Sequence, residues 1–529
     1  MNWLACSSRS CWLALVLVLN SSGTAALAAD YFWNVANGAF QTDANWNPVG
    51  TPGDFDNAFI NNGGTANLSI LYEPVPPLVG VASTVGSSGT LNVTAGGDLL
   101  ANKIQIGERG NGIATVNNGK LAAQGGSLFV GGENETGTGV LNVTGASASV
   151  ASGDDIQFGR VGTGTLNMQG GRMTGGYTVV GKFGTGIWNH SGGLFDQDFG
   201  DIEIGDGGRP DQSGTSGPRT GTINLSGGVI QSAGYLAIGN RVGGGAVNIS
   251  GGALAMTGVN DGSIVVGRGM DWAASPGAGG ATSLKVTGND GLIIANGNLA
   301  MNPDSVASSS TLIEEITGPT QTTIKVAGDA NLVKGALKVV LTGYTPASGD
   351  SWTLIQAGAD LTADKAAVDA IVAAGGFPAL AHVDPLMTGT VIGPFASTDF
   401  SLAPLASGLS WNVSYASNSV VLSVTGTAAG VPGDFNGNNV VDAADYTVWR
   451  DHLNSNVALP NDNGLGTPIG AAHYDLWKSN FGDSGSGGGS LSASAVPEPT
   501  SAVLWVACPI MATFVARSIS RKHRWNRRA

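Results

Sequence analysis

One short phrase recurs through the middle of this chain. Thr165-Leu166-Asn167-Met168-Gln169-Gly170-Gly171 has close copies at residues 90–94, 140–145, 222–228 and 246–252, and looser ones at 115–117 and 187–193. The repeated asparagines are Asn92, Asn117, Asn142, Asn167, Asn189, Asn224 and Asn248, with gaps of 25, 25, 25, 22, 35 and 24 residues. A fixed period in this range marks a solenoid, a propeller or another array. A second phrase completes the unit. Ile104-Gln105-Ile106-Gly107, Ile156-Gln157-Phe158-Gly159, Leu236-Ala237-Ile238-Gly239 and Ile264-Val265-Val266-Gly267 each close a β-type run with glycine. Alternating apolar residues argue for strands, and glycine provides the corners between them.

A unit this short cannot bury its own apolar face, so neighbouring units must stack. Residues 81–300 are therefore expected to form a right-handed parallel β-helix, the hand following from the usual crossover rule. Seven to nine coils at about 4.8 Å each would give a rod of roughly 35 to 45 Å, with the Thr/Ser and Asn positions stacked as ladders. A propeller needs about 40 residues per blade, more than the spacing offers.

Of 529 residues, 84 are glycine and only 12% are charged, while 42% are hydrophobic, a mixture that suits a β solenoid better than disorder. The net charge is −14. Seven of the 24 basic residues stand at the two ends (Arg9, Arg517, Arg521, Lys522, Arg524, Arg527 and Arg528), which leaves 17 against 38 acids, a balance of −21. So acidic a body disfavours nucleic acid as a partner, because phosphate binding needs Lys and Arg. The three cysteines, Cys6, Cys11 and Cys508, lie near the termini, so the body has neither a disulfide framework nor a thiol nucleophile.

Residues 1–28 read as a secretory signal peptide, with Arg9 before an apolar run at 12–19 and a small-x-small site at Ala26-Leu27-Ala28. Residues 29–80 carry Trp33 and Trp46 among Asn, Pro and Gly and are expected to cap the first coil; sugar stacking on these tryptophans is the other reading. Beyond residue 288 the period fades, and 301–428 read as the end of the solenoid or a small β-rich domain with one helix near 364–374. The opening Asn45-Trp46-Asn47-Pro48, the repeated Thr-Leu-Asn-Val and the strands around Trp411 and Val420 resemble bacterial surface proteins with autotransporter-type β-strand repeats.

The most chemical motif is residues 434–445. Asp434, Asn436, Asn438, Asp442 and Asp445 place side-chain oxygens at loop positions 1, 3, 5, 9 and 12, and Val440 offers its carbonyl at position 7. Hard oxygens at this spacing form the EF-hand pattern for Ca²⁺. Asn439 stands where glycine is usual, and asparagine tolerates the positive φ that the turn needs. Tyr474-Asp475-Leu476-Trp477-Lys478 repeats Tyr446-Thr447-Val448-Trp449-Arg450 at 28 residues, so 432–482 resembles a type I dockerin. In the second half Asp462 keeps position 1, but Gly464, Gly466, Gly470 and His473 replace the other oxygens, so one Ca²⁺ is expected; His473 reads as a surface residue at a helix start. The resemblance implies a cohesin-like partner. Ala443-Ala444 and Ala471-Ala472 stand where Ser/Thr contacts are usual in that family, which makes docking onto the chain's own body an alternative.

Residues 483–495 are a Gly/Ser linker. Residues 496–529 run Val-Pro-Glu-Pro, an uncharged stretch and a basic end, an order that resembles the PEP-CTERM sorting signal. That resemblance implies processing by an exosortase-type enzyme, transient membrane anchoring by a transmembrane sorting helix, and delivery to a cell surface or matrix rich in extracellular polysaccharide. The densest acids are Asp196, Asp198, Asp201, Glu203 and Asp206, preceded by Asp154-Asp155. Paired carboxylates serve glycan hydrolysis or hold cations, but five acids near one turn are more often solvated. The reading is a secreted structural or adhesion protein without catalytic residues; a polysaccharide hydrolase or lyase with a β-helix body is the alternative.

Overall fold

The computed structural model describes residues 28–207, 219–240, 243–258, 262–268, 280–301, 309–378, 388–426 and 430–484. The sorting segment expected from the sequence lies outside these residues, as do the signal peptide apart from residue 28 and the Gly/Ser linker apart from residues 483–484. Among the described residues no helix is long and apolar enough to cross a membrane. The chain divides into two compact units, one up to Gly426 and one from Thr427 onward, the second also taking Ala406–Gly408.

The first unit is mainly β and is wound from long parallel sheets. Among the described residues a narrow sheet holds 14 strands and a wide sheet 22. Each coil gives one short strand to the narrow sheet and one long or two short strands to the wide one. Side chains alternate in and out, so each inward position stacks on its counterpart one coil away. In the narrow sheet Val81, Ile106, Val130, Phe158, Val180, Ile204, Ile238 and Val266 form one such apolar column. In the wide sheet Leu68, Val93, Val116, Val143, Met168, His190, Leu225, Ile249, Val286, Glu314 and Val339 form another. These columns are the core.

The corner after each narrow strand needs a left-handed backbone. Gly107, Gly131, Gly159, Gly181, Gly205, Gly239 and Gly267 all have φ between 66° and 81°. A Cβ on Gly131 would lie 2.0 Å from the Thr163 carbonyl oxygen, so coil stacking as well as φ demands glycine there.

The parallel ladder extends well beyond 81–300. It starts with strand Asp30–Trp33 beside Asn57–Ile60 and runs to Ala330–Asn331 beside Val391–Ile392. Thirteen parallel strands at about 4.8 Å make a rod near 60 Å, longer than the asparagine count implied. At the start, Trp33, Phe40, Trp46 and Tyr72 pack edge to face at 5.0–5.1 Å and close the first coil. At the far end the alternation survives in Leu312, Ile324, Val326 and Leu337 after the Asn and Gly-Gly signals have gone. The antiparallel hairpin Leu409–Tyr415 with Ser419–Gly426 pairs with Ser351–Gln356 and ends the sheet.

The expected asparagine ladder forms on the outer face of the wide sheet. Each side-chain amide donates to the preceding carbonyl: Asn92 to Asn67 at 3.0 Å, Asn167 to Asn142, Asn189 to Asn167 and Asn224 to Asn189 at 2.9 Å, and Asn248 to Asn224 at 2.8 Å. Asn117 is not a rung. Thr115 stacks between Asn92 and Asn142 because Gly112 aligns with Gly89 and Gly139. A Cβ on Gly112 would meet the Val81 carbonyl oxygen of the preceding coil at 2.7 Å, so the glycine row sets the register and overrides the Asn spacing.

Helix α1 (Thr362–Ala374) lies on the outside of the wide sheet. Val368 and Val372 pack on Leu194, Val229, Ala253, Ala255 and Ile294. Those strands are apolar on both faces where the helix covers them.

The second unit is a small module with helices α2 (Ala443–Asp451) and α3 (Ala471–Ser479) around Phe435, Leu459 and Ile469. Its halves lock reciprocally: Trp449 Nε1 donates to the Gly470 carbonyl at 3.0 Å, and Trp477 Nε1 to the Asp442 carbonyl at 2.8 Å.

Candidate calcium loop and the acidic residues of the solenoid

The loop before α2 folds around its own oxygens. Asp434 accepts from the Gly437 and Asn438 amides at one oxygen and from the Asn439 amide at the other, at 2.8–3.1 Å. Asn436 Oδ1 accepts from the Asn438 amide and Asn438 Oδ1 from the Val440 amide, both at 2.9 Å. Asp445 accepts from the Asn436 amide at 2.9 Å and the Asp442 amide at 2.8 Å, while Asp442 caps α2 through the Ala444 amide. Asn439 holds φ at 65°, the turn expected of it. Val440 forms an isolated bridge with Ser484, which ties the loop to the end of the module.

All six residues read from the sequence therefore stand on the loop and the first turn of α2. Asp434 and Asp445 are fully buried, and among the described residues their partners are neutral N–H groups rather than cations. An unpaired buried carboxylate costs several kcal/mol. That imbalance fits a bound hard cation. Among the described residues no group of three or more His, Cys, Asp or Glu is placed to hold a metal, so an ion here would draw on amide and main-chain oxygens beside the two carboxylates.

The second half is built differently. Asp462 accepts from the Gly464 and Gly466 amides at 2.9 Å, as Asp434 does in its own loop. His473 takes the place of Asp445: its Nδ1 accepts from the Gly470 amide at 3.3 Å. It is not the surface residue expected from the sequence but only 2% exposed. Its ring lies 6.3 Å from that of Phe435, and Nε2 faces Asp462 Oδ2 at 3.9 Å. The imidazole fills space inside a loop that has lost its other side-chain oxygens.

The acids near residue 200 do not form one cluster: Asp196 lies on the wide sheet and Asp206 at the next corner, while Asp201 and Glu203, two residues apart on the narrow side, both lie beside Tyr235. Asp196 sits on the wide sheet and pairs with Arg172 at 2.6 Å. Asp198 is exposed in the following turn. Asp201 accepts the Tyr235 amide at 3.2 Å. Glu203 points outward from the narrow sheet between the hydroxyls of Tyr177 and Tyr235. Asp206 is buried at the next corner. Of the earlier pair, Asp154 accepts the Ser127 hydroxyl at 3.2 Å, and burial pushes the Asp155 carboxyl above its usual range.

Two titratable residues enter the core column itself. His190 is fully buried beside Trp188, and burial pushes its pKa down to about 4. Glu314 was not singled out from the sequence. It lies between Val286 and Val339, and burial raises its pKa to about 8. No protein-family model, curated protein or solved structure matches this chain.

Proposed function

We propose that this is a secreted structural or adhesion protein of the cell surface or matrix: a right-handed solenoid rod joined to a calcium-dependent, dockerin-like interaction module. The observation that carries the reading is the oxygen-lined loop around Asp434 and Asp445, two buried carboxylates that lack a protein cation. Asp434, Asn436, Asn438, Val440 and Asp445 would hold Ca²⁺ directly, and Asp442, whose carboxylate caps α2, would reach it through water. The bound ion would supply the positive charge that lets the loop and α2 hold one shape, and the module would present that shape to a cohesin-like partner or to the chain's own body. The leader and the PEP-CTERM-type tail would bring the protein out through an exosortase-type step.

The alternative is a polysaccharide-degrading enzyme on the same rod. Asp196 and Asp206 stand apart from Asp201 and Glu203, and those two are engaged by the Tyr235 amide and hydroxyl, which weighs against paired-carboxylate hydrolysis at that turn. The test is product release from neutral and acidic polysaccharides by the calcium-loaded protein. Release that disappears in Asp198→Asn/Asp201→Asn would make the body an enzyme. No release from folded protein supports the scaffold reading.

A further inference from the structure

The small module carries more aromatic surface than its core uses. Val448, Trp449, Leu476 and Trp477 pack against Phe435, Leu459 and Ile469, but Tyr446 and Tyr474 are not part of that core. Their rings instead close a platform of four. Tyr446 lies 5.4 Å from Trp449, Trp449 5.0 Å from Tyr474, Tyr474 5.5 Å from Trp477, and Trp477 5.2 Å from Tyr446. All four are half-buried. Phe481 extends the platform, 5.1 Å from Trp477 and 55% exposed. The Tyr446 and Tyr474 hydroxyls have no hydrogen-bond partner among the described residues.

The chain leaves the module close to this platform. Two residues after Phe481, the Asp483 carbonyl accepts from the Val441 amide at 2.9 Å, and Gly482 donates to the Val441 carbonyl at 2.8 Å. The next residue, Asp442, is the one whose carbonyl Trp477 holds. Ser484 is separated from Pro497 by 13 positions of Gly/Ser-rich sequence. A linker of that length and composition reaches roughly 18 to 22 Å. Helix α3 is only about 14 Å long, so Val496-Pro497-Glu498-Pro499 can return over it. Glu498 is the only charged residue between Asp483 and Arg517. On α3, Lys478 follows Tyr474 by four residues and so shares its face. Lys478 is exposed and has no acidic partner among the described residues, whereas Arg450 is taken by Asp451 at 2.8 Å.

We propose that the aromatic platform of the module binds the chain's own Val496-Pro497-Glu498-Pro499 segment. Aromatic-lined surfaces take proline-rich segments because the polyproline conformation costs little entropy to order. Alternate residues of that conformation are about 6 Å apart, close to the ring spacing, so Pro497 and Pro499 would each stack on a ring. Its carbonyls are free of internal hydrogen bonds and would accept from the Tyr446 and Tyr474 hydroxyls. Glu498 would face Lys478. A short tether gives an effective concentration of about 1 mM, so a contact with a Kd of about 0.1 mM would be closed in roughly nine chains of ten. The docking itself rests on neither the calcium nor the sorting reading. Its consequence, that the module withholds the segment from a processing enzyme, rests on the sorting reading.

The test is the initial rate of cleavage after Pro497 by a proline-specific endoprotease, read by mass spectrometry on the whole protein. Each rate is divided by that of the free peptide of the same sequence, residues 490–502. The wild-type bond should be cut about tenfold more slowly than the peptide, the factor set by the closed fraction. Phe481→Ala and Lys478→Glu change exposed side chains, so both should fold, with unchanged circular dichroism, and both should lose most of the protection. Glu498→Lys should lose it too, and the swap Lys478→Glu/Glu498→Lys should recover it. Equal rates for wild type and peptide, protection that survives these variants, or a swap that recovers nothing would each overturn the assignment. Protection that grows with protein concentration would also overturn it, because the platform would then hold a second copy.

Discussion

Replacing Glu314 by glutamine should abolish most of the alkaline sensitivity of the rod. The Glu314 carboxyl is fully buried in the core column, with Val286 and Val339 one coil to either side. Gln321 Nε2 donates to its Oε2 at 2.7 Å. Glu314 Oε1 and Gln321 Oε1 are both buried without a partner. A proton on Glu314 supplies the donor that these two oxygens lack. The charged groups on the same strands point the other way: Lys285 pairs with Glu315, whose pKa is pulled down to about 2, so it stays ionised across the range tested.

Burial raises Glu314 from 4.5 to about 8. A carboxyl whose folded pKa is raised gives stability that is complete below its unfolded value and lost as pH climbs through the folded one. At about 1.4 kcal/mol per pKa unit, the loss between pH 4.5 and 8 is roughly 3 to 5 kcal/mol. Glutamine keeps the size and can donate to Gln321 Oε1, but it does not titrate. Urea unfolding followed by circular dichroism at about pH 5 and about pH 9 is the assay. The wild-type midpoint should fall between the two, while that of Glu314→Gln should move much less. Parallel pH profiles for the two proteins would refute the reasoning.

His190 should act in the opposite sense. Its folded pKa is lowered to about 4, so it costs stability as pH falls from about 6.5 to 4, and His190→Met, the residue type of the preceding coil, should remove roughly 3 kcal/mol of acid sensitivity in the same assay. Asn167→Ala breaks the bonds to Asn142 and Asn189 and should cost about 1 to 3 kcal/mol, seen as a lower thermal midpoint without loss of β signal. Val368→Asp places a charge under α1 and should release the helix. Hydrogen exchange should then rise at Leu194, Val229 and Ala253 but not in the inner column, and unchanged protection there would contradict the packing.

The solenoid was legible because two of its signals are local. Alternation fixes which residues face inward, and glycine marks the corners, as at Gly107 and Gly131. The ladder register was misread at Asn117, since shifting by two residues keeps the same face and only the close approach of Gly112 to the neighbouring coil decides between them. The extent of the rod was underestimated because the Asn and Gly-Gly phrases fade after residue 288, although stacking requires only inward apolar residues such as Leu312 and Leu337. The cover of α1 had a signal that was passed over: Leu254-Ala255-Met256 and Ile293-Ile294-Ala295 are apolar without alternation, which means burial on both faces. Glu314 likewise sits at an inward position between Leu312 and Ile316. In the candidate calcium loop the oxygen spacing could be read directly. The burial of His473 could not, because it depends on how the second loop closes over it.

Calcium titration of the whole protein, by calorimetry after chelation, bears most directly on the proposed module. One ion should bind per chain, binding should vanish in Asp434→Ala, and Asp462→Ala should leave it intact. Absence of calcium binding by the folded wild-type protein, or binding that survives Asp434→Ala unchanged, would contradict a module organised around Asp434 and Asp445.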